Sequence, residues 1–514
     1  MRLKSVHIRK FKNLSDFDAN FDAASPVSVL VGRNGTGKSN LLEALTIIFR
    51  DLDLGRVPSI PFRIRYECRG LDIQMDNYVQ GDKLSVLVDG KKTPKSRLGG
   101  SSASPRLLPD FVFGYYSGPS DRLREHYNHH QEAFSKELRD GVEAPLRRLF
   151  YAQPIHSQFV LLAFFLSDTL EPVLRDYLGI DSFDSALFVL KEPYWAHRKV
   201  TGSSGNDRFW NARGTVASLL DELWDLSLAP LRHKVASSGR ERGREQIFLY
   251  LKDRMSLQKL AESRYAGSPQ QLFKAFESIL SADLLAEVRV RVRMRGGEHS
   301  LVFRELSEGE QQLLMVLGLL RFTAEAESLF LLDEPDTHLN AAWSLDYVRM
   351  LESGTGTSDA TSQLLMATHD PLVISGLLKE QVLLLQKDAG KSYARHPEVD
   401  PRGLGVAGLL TSEIYGLASD LDAITLAKVE RHRRLAAETS LSSSEKQELG
   451  ELSNELRDLG FTFMTHDRLY NEFEKAMLDR AVPVTLVRSR EEQLEEAQLA
   501  RQVLNELLNG SAEV

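Results

Sequence analysis

One cysteine, Cys68, stands in 514 residues. No disulfide can form within the chain, and this usage fits a reducing cytosol. Long hydrophobic runs are missing too. The most apolar stretch, Phe159 to Leu166, is far too short to span a membrane and reads as a buried core helix. No signal peptide opens the chain: Met1-Arg2-Leu3-Lys4 leads straight into an alternating strand. Low-complexity tracts and internal repeats are absent. Basic charge does not dominate either. The net charge of −8 excludes an all-over nucleic-acid binder and confines any such contact to a local patch. What the chain does have is 42% hydrophobic residues, enough for a full core, and length for about three ordinary domains.

Two stretches carry chemistry. The apolar run Val27 to Val31 leads into Gly32-Arg33-Asn34-Gly35-Thr36-Gly37-Lys38-Ser39-Asn40 and then into the helical pattern Leu41, Leu42, Ala44, Leu45. This strand, glycine-rich loop and helix match G-x-x-x-x-G-K-S in full. Such a loop curls its backbone N–H groups around phosphates, and the helix N-terminus adds positive potential. Residues 32–40 are therefore expected to bind a nucleotide, with Lys38 on the β and γ phosphates and Ser39 on Mg²⁺. Far downstream, the apolar strand Ser328 to Leu332 ends in Asp333-Glu334. An aspartate there can orient the metal's water shell, and a glutamate can polarise the attacking water.

Flanking phrases give these stretches a family likeness. Leu306-Ser307-Glu308-Gly309-Glu310-Gln311 resembles an ABC signature, Asp336-Thr337-His338-Leu339-Asn340 a D-loop, and His369 the switch histidine. The order resembles that of ABC-type ATPases. The N-terminal phrase Leu3 to Leu14 is similar to the SMC/RecF/OLD branch. The resemblance implies an α/β fold: an ABC/SMC-type head with a mixed P-loop sheet and an antiparallel lobe, an inserted helical subdomain and a helical C-terminal tail. It implies ATP and Mg²⁺ as cofactors, and Ser39 and Asp333 as metal residues. It further implies Glu334 and His369 as catalytic residues, and two heads sandwiching ATP. Ser307, Glu308, Gly309 and Glu310 of one head would then face the loop of the other. The expected boundaries are 1–120 for the N-lobe, 121–285 for the helical insert, 286–400 for the C-lobe and 401–514 for a helical tail. The Q-loop glutamine is unassigned, with Gln153 and Gln158 as candidates at an unusual spacing.

In the remaining chain, residues 60–94 read as strands with a hairpin signal at Asp89-Gly90. Residues 91–107 form a basic Gly/Ser-rich loop. Phe111 to Gly118 is a buried-looking strand. After it, Ser117, Asp121 and Arg122 either face the nucleotide or an adjoining subunit, or end the strand and cap a helix with Ser120 and Asp121. His126 and His130 share a helix face beside His129, as a zinc pair or as a polar face. Residues 142–285 read as mostly helical, broken at Ser237 to Arg244, with no sustained heptads. In Glu287 to Arg295, Arg289, Arg291, Arg293 and Arg295 alternate with Val288, Val290, Val292 and Met294. The four arginines either track a phosphate backbone or form a solvated face paired with acids. Val382 to Lys387 reads as a last strand. In the tail, Ser442 and Glu445 suit a capping box, and a last helix runs from Arg490 to Asn509. Glu413, Asp420 and Asp422 offer the letters of a Toprim nuclease but lie too close together. Asp420 and Asp422 read instead as a helix cap and a surface turn.

The order FGYYSGPSDR (113–122), YAQPIHSQFVLLAFF (151–165), then GLGV (403–406) and LTSEIYGL (410–417) resembles the ATPase subunits of Septu anti-phage systems. That resemblance implies a bacterial ATP hydrolase; the lone cysteine fits the cytoplasm, and the unassigned Q-loop glutamine points to slow turnover. It would have no nuclease activity of its own, would form homo-oligomers with at least a head-to-head dimer, and would control a separate HNH nuclease subunit. DNA is a possible further partner and a membrane is not. EHYNHH (125–130) does not fit an HNH motif. The alternative is a RecF-like recombination or repair ATPase that clamps DNA.

Overall fold

Six apolar strands lie parallel at one end of a thirteen-stranded sheet, in the order Val382–Asp388, Val27–Val31, Gln363–Ala367, Ser328–Asp333, Phe111–Tyr116 and Leu149–Tyr151. This is a computed structural model that describes residues 1–22, 24–78, 83–100, 105–143, 146–166, 171–196, 205–235, 244–296, 300–323, 327–354, 362–388, 391–438, 440–461 and 498–506. Val27–Val31, Gln363–Ala367 and Ser328–Asp333 are buried at every residue. Parallel strands read as continuous apolar runs because both of their faces are covered. Part of that cover is the helix Lys38–Asp53, which buries Leu41, Leu42, Leu45, Ile48 and Phe49.

Val382–Asp388 is not the last strand, as the sequence suggested: Lys391–Arg395 follows, pairs antiparallel with it and parallel with Leu14–Asn20, and so joins the two parts of the sheet. The remaining six strands form the antiparallel lobe. Arg2–Phe11 pairs with Leu14–Asn20 on one side and with Phe62–Cys68 on the other, and the meander continues through Leu71–Asp76, Ser85–Val88 and Lys91–Lys92. Phe62–Cys68 alternates strictly between buried and exposed residues, as a one-sided strand should. The Asp89-Gly90 hairpin is as the sequence predicts: both residues have positive φ, 49° and 75°, which the tightest two-residue turns demand. Residues 91–107, expected as a loop, include the strand Lys91–Lys92 and a turn of 3₁₀ helix at Lys95–Gly99. Cys68 is buried, and burial pushes its thiol up to about 12, so it is an inert core group.

The insert is not mostly helical. Beside the helices His156–Phe164, Gly214–Leu226, Arg254–Tyr265 and Pro269–Ser281 it holds a second, antiparallel sheet. Its order is Leu231–Val235, Arg244–Leu251, Ile180–Lys191, Leu285–Met294 and Ser300–Val302. The physical reason is a two-residue period inside the supposed helical region. Ile247, Leu249 and Leu251 are fully buried and alternate with half-exposed Phe248 and Tyr250. The 285/286 boundary falls within a strand. Leu285–Met294 pairs with Ile180–Lys191 (Phe188 opposite Val288, Phe183 opposite Val292) and so belongs to the insert's sheet. The charged break at 237–244 lies, except for Arg244, outside the described residues.

The chain divides into two units, Met1–Val399 and Asp400–Val514. The second holds the helices Gly405–Thr411, Ala423–Ala437 and Ser443–Asp458. Asp422 caps the second of these through the N–H groups of Ile424 and Thr425, both at 3.0 Å. Ser442 and Glu445 form the expected capping box on the third. Of the predicted last helix, residues 498–506 are described and helical. No described helix is long and apolar enough to cross a membrane.

Candidate nucleotide site

Parallel register brings the chemistry to one edge. Asp333 lies level with Ala367 on one side and Tyr116 on the other, and Ala367 lies level with Leu30. The carboxyl ends of four strands therefore converge on the 32–39 loop, where open α/β sheets gather their sites.

The loop leads into a helix whose first turn is bare. Gly37, at φ 110°, precedes Lys38–Asp53 with no side-chain cap and no acidic residue in the first turn. Some helices of the chain are capped, by Asp253, Ser268, Asp422 and Ser442, and others, such as Asn128–Arg139 and Gly214–Leu226, are not. N–H groups left without a side-chain acceptor, aided by the helix dipole, suit an anion. Arg33, Asn34 and Gly35 are exposed, while Thr36, Gly37 and Lys38 are buried. Lys38 Nζ donates to the Gly32 carbonyl at 2.7 Å. Burial lowers its pKa, while Glu334 and Asp333 pull it back up.

The hairpin tip of the antiparallel lobe braces the loop. Asn13 Nδ2 donates to the Gly35 carbonyl at 2.5 Å, and Asn40 Nδ2 donates to Asn13 Oδ1 at 2.6 Å. Lys12 pairs with Glu43 of the loop's helix at 2.5 Å.

Asp333, 2% exposed, accepts from Ser39 Oγ at 3.0 Å through Oδ1 and from Arg122 Nη2 at 3.3 Å through Oδ2. Burial pushes its pKa up, and the Ser39 and Arg122 contacts pull it down. Glu334 sits at φ 52° and its N–H donates to Ala367 O at 2.8 Å. That left-handed backbone is uncommon for a non-glycine residue and is maintained by its surroundings. Glu334 Oε1 lies 3.4 Å from Nδ1 of His369. Asp336, buried and pushed up to about 6, accepts a hydrogen bond from the Thr368 hydroxyl. Thr337 Oγ1 donates to Glu334 O at 2.8 Å and lies 2.9 Å from Ser117 Oγ.

The signature stretch forms a helix start. Ser307 N–H donates to Glu310 Oε2 at 2.7 Å, and Glu310 N–H donates back to Ser307 Oγ at 3.3 Å. This is a capping box at the head of Glu308–Thr323. Gly309 packs against the D-loop so closely that a Cβ there would collide with the His338 carbonyl oxygen. Glu308 lies 3.5 Å from His338 Nδ1.

Other candidates sit elsewhere. His126 Nε2 meets Glu43 Oε1 at 3.1 Å and its Nδ1 meets Arg50 at 3.0 Å, while His130 Nε2 meets Asp53 Oδ2 at 2.8 Å. Each ring is turned onto its own carboxylate, so the pair staples its segment to the loop's helix. Gln158 is buried in the helix His156–Phe164, and Gln153 follows the edge strand Leu149–Tyr151. Arg122 stands at the site's edge, against Asp333. Ser120 and Asp121 do not act as caps, since the 3₁₀ turn Arg124–Tyr127 that follows has no side-chain cap. Arg289, Arg291, Arg293 and Arg295 are exposed and the valines between them are buried, as the alternation predicts. Two of the four are matched by acids: Arg289 by Glu287 at 2.8 Å, and Arg293 by Asp184 at 3.3 Å.

Parts of the chain are similar to known proteins. Residues 27–375 match the family described as "AAA domain, putative AbiEii toxin, Type IV TA system". The Septu protein PtuA of Bacillus mycoides strain KBAB4 is 28% identical over 160 residues, 30% of this chain and 22% of that protein. The DNA replication and repair protein RecF of Myxococcus xanthus strain DK1622 is 30% identical over 134 residues, 24% of this chain and 34% of that protein. The chain thus spans about a fifth to a third of the length of these relatives. Among solved structures, the SMC head bound to the C-winged helix domain of ScpA is 12% identical. It covers 77% of this chain and 98% of that one at a TM-score of 0.33, too loose a match to carry weight.

Proposed function

The chain belongs to that AAA-domain family, and on this premise we propose that it binds and hydrolyses ATP, with Mg²⁺, to control a separate HNH-type nuclease in anti-phage defence. That it is an SMC/RecF-like ABC-type ATPase resembling PtuA rests on the family match and on the relatives. The observation that carries the ATP part of the proposal is the Ser39–Asp333 contact at 3.0 Å beside the loop's helix start; the defence part rests on the similarity to PtuA.

The residues present fit a magnesium nucleotide. A hydroxyl and a carboxylate are hard oxygen donors of the kind Mg²⁺ takes alongside phosphates. When bound, the metal would neutralise phosphate charge. Lys38 would exchange its bond to the Gly32 carbonyl for phosphate oxygens. Ser39 and Asp333 would hold the metal. Residues 32–40 would wrap the phosphates with their N–H groups. Glu334, aimed by His369, would orient water. Ser307, Glu308, Gly309 and Glu310 of a second copy would close the site, so that nucleotide state and head pairing are linked. The lone buried thiol suits a bacterial cytoplasmic location.

The test is co-purification with the products of neighbouring genes. An HNH protein in fixed ratio supports the reading; recovery with recombination proteins supports a RecF-like DNA clamp instead. Exposed Arg291 and Arg295 and the similarity to RecF favour that second reading. Its own signature is ATP hydrolysis stimulated by DNA and lost in an Arg289, Arg291, Arg293 triple-alanine variant.

A further inference from the structure

Among the described residues, Arg122 is the cation that forms an ion pair with the buried Asp333 carboxylate, and no motif put it there. The parallel register sets Tyr116 level with Asp333, and the N–H of Ser117 donates to the Asp333 carbonyl at 3.3 Å. The chain turns through Gly118-Pro119-Ser120-Asp121, and Arg122 returns to the same residue. Its Nη2 lies 3.3 Å from Asp333 Oδ2, and its guanidinium carbon lies 5.6 Å from the Tyr116 ring centroid. The other carboxylate oxygen accepts from Ser39 Oγ. Both oxygens of Asp333 are thus engaged, one by the proposed metal ligand and one by a positive charge.

The Arg122 bond is of an exchangeable kind. It is a single long contact where an arginine can make two short ones. The side chain is 36% exposed, against 4% for Asp333, so it can swing outward without opening the core. A guanidinium and a divalent cation on one carboxylate repel each other, whereas a guanidinium beside a triphosphate is attracted.

Resting on the nucleotide-site reading above, we propose that Arg122 is a mobile phosphate-binding arginine that competes with Mg²⁺ for Asp333. It guards the carboxylate until the metal nucleotide arrives, then leaves it for the phosphate oxygens. Arg122 therefore weakens metal uptake and strengthens nucleotide retention.

The experiment is equilibrium binding of a fluorescent ATP analogue to the full chain across a Mg²⁺ titration, for wild type, Arg122→Ala and Arg122→Lys. In R122A the Mg²⁺ midpoint falls about threefold to tenfold, because a competitor has gone. Nucleotide affinity at saturating Mg²⁺ falls roughly tenfold, the size of one charge-assisted hydrogen bond. R122K retains the charge, so both values stay closer to wild type. A purely structural arginine would not move the two readouts in opposite directions. Thermal unfolding without nucleotide checks that both variants are folded. If R122A binds with the wild-type midpoint and affinity, the role of Arg122 is wrong and the nucleotide site stands. If wild type itself fails to bind, the site reading falls, and this inference with it.

Discussion

Ser39 Oγ lies 3.0 Å from Asp333 Oδ1 although 294 positions separate them in the chain. The contact forms because Val27–Val31 and Ser328–Asp333 flank the same strand, Gln363–Ala367, and all three end at one level. The carboxylate is held where burial opposes its charge. Such a group is retained for what it binds more than for the stability it adds. Asp333→Asn is therefore expected to abolish Mg²⁺-dependent ATP binding while its unfolding midpoint equals or exceeds that of wild type. Nucleotide titration together with thermal unfolding checks both halves. A variant that binds normally would remove Asp333 from the metal site.

Asp336 gives the region a pH dependence. Burial raises its pKa from 3.8 to about 6. A carboxyl whose pKa is higher folded than unfolded lends its full stability below the unfolded value and loses it as pH rises through the folded value. The window runs from about pH 4 to about pH 6. Asp336→Asn removes the titration. Its stability relative to wild type should be about 2 kcal/mol greater at pH 7.5 than at pH 4.5, the size that linkage gives for such a shift. Urea unfolding at the two pH values measures the difference; equal offsets would contradict the raised pKa.

Glu277 behaves in the opposite sense. It is fully buried, yet Arg147 and His156, whose Nε2 lies 2.7 Å from Oε2, overcome the burial and hold it down to about 2. Its contribution is present above about pH 4.5 and fades as the pH falls toward 2. Glu277→Gln leaves Arg147 buried without its counter-charge, which costs about 3–5 kcal/mol. A loss under about 1 kcal/mol in denaturant unfolding, the scale of an exposed pair, would show that the cluster is not a structural anchor.

These sites differ in how far the sequence announced them. The 32–39 loop and Asp333-Glu334 were legible because each joins a motif to an apolar run with the right continuation. The arginine strand was legible from its alternation. Glu287, which pairs with Arg289, lies on the same strand and is in plain view; Asp184, which pairs with Arg293, is not, because it comes from a strand inside a segment whose sequence pattern reads as helix. His126 and His130 showed the four-residue spacing of a helical pair. Their partners Glu43 and Asp53 lie on the loop's helix, a tertiary relationship that spacing cannot carry. The Ser307–Glu310 capping box lies as S-x-x-E inside the signature letters, where a second meaning masks it. Arg122 was legible only as one of several polar residues after a strand. Its aim at Asp333 depends on the register of Phe111–Tyr116.

Ser307 caps a helix in the fold, and the proposed pairing gives it a second role that substitution separates from the first. As a cap it is worth about 1 kcal/mol, which Ser307→Ala should lose. Ser307→Asp keeps an N-cap acceptor and should keep the wild-type unfolding midpoint. If Ser307 faces the phosphates of a second copy, the added negative charge should block ATP-dependent pairing. Pairing by S307D at the wild-type level in sedimentation runs would restrict Ser307 to capping.

The most direct measurement is the mass of Glu334→Gln in solution, by light scattering, with Mg²⁺-ATP, with Mg²⁺-ADP and with ATP plus a chelator. Glu334 sits beside His369 at the edge of the nucleotide site, so its loss should slow hydrolysis and leave binding intact. The account predicts that the paired species accumulates only with Mg²⁺-ATP and reverts in the other two conditions. One mass in all three, together with wild-type turnover, would contradict the coupling of nucleotide to head pairing.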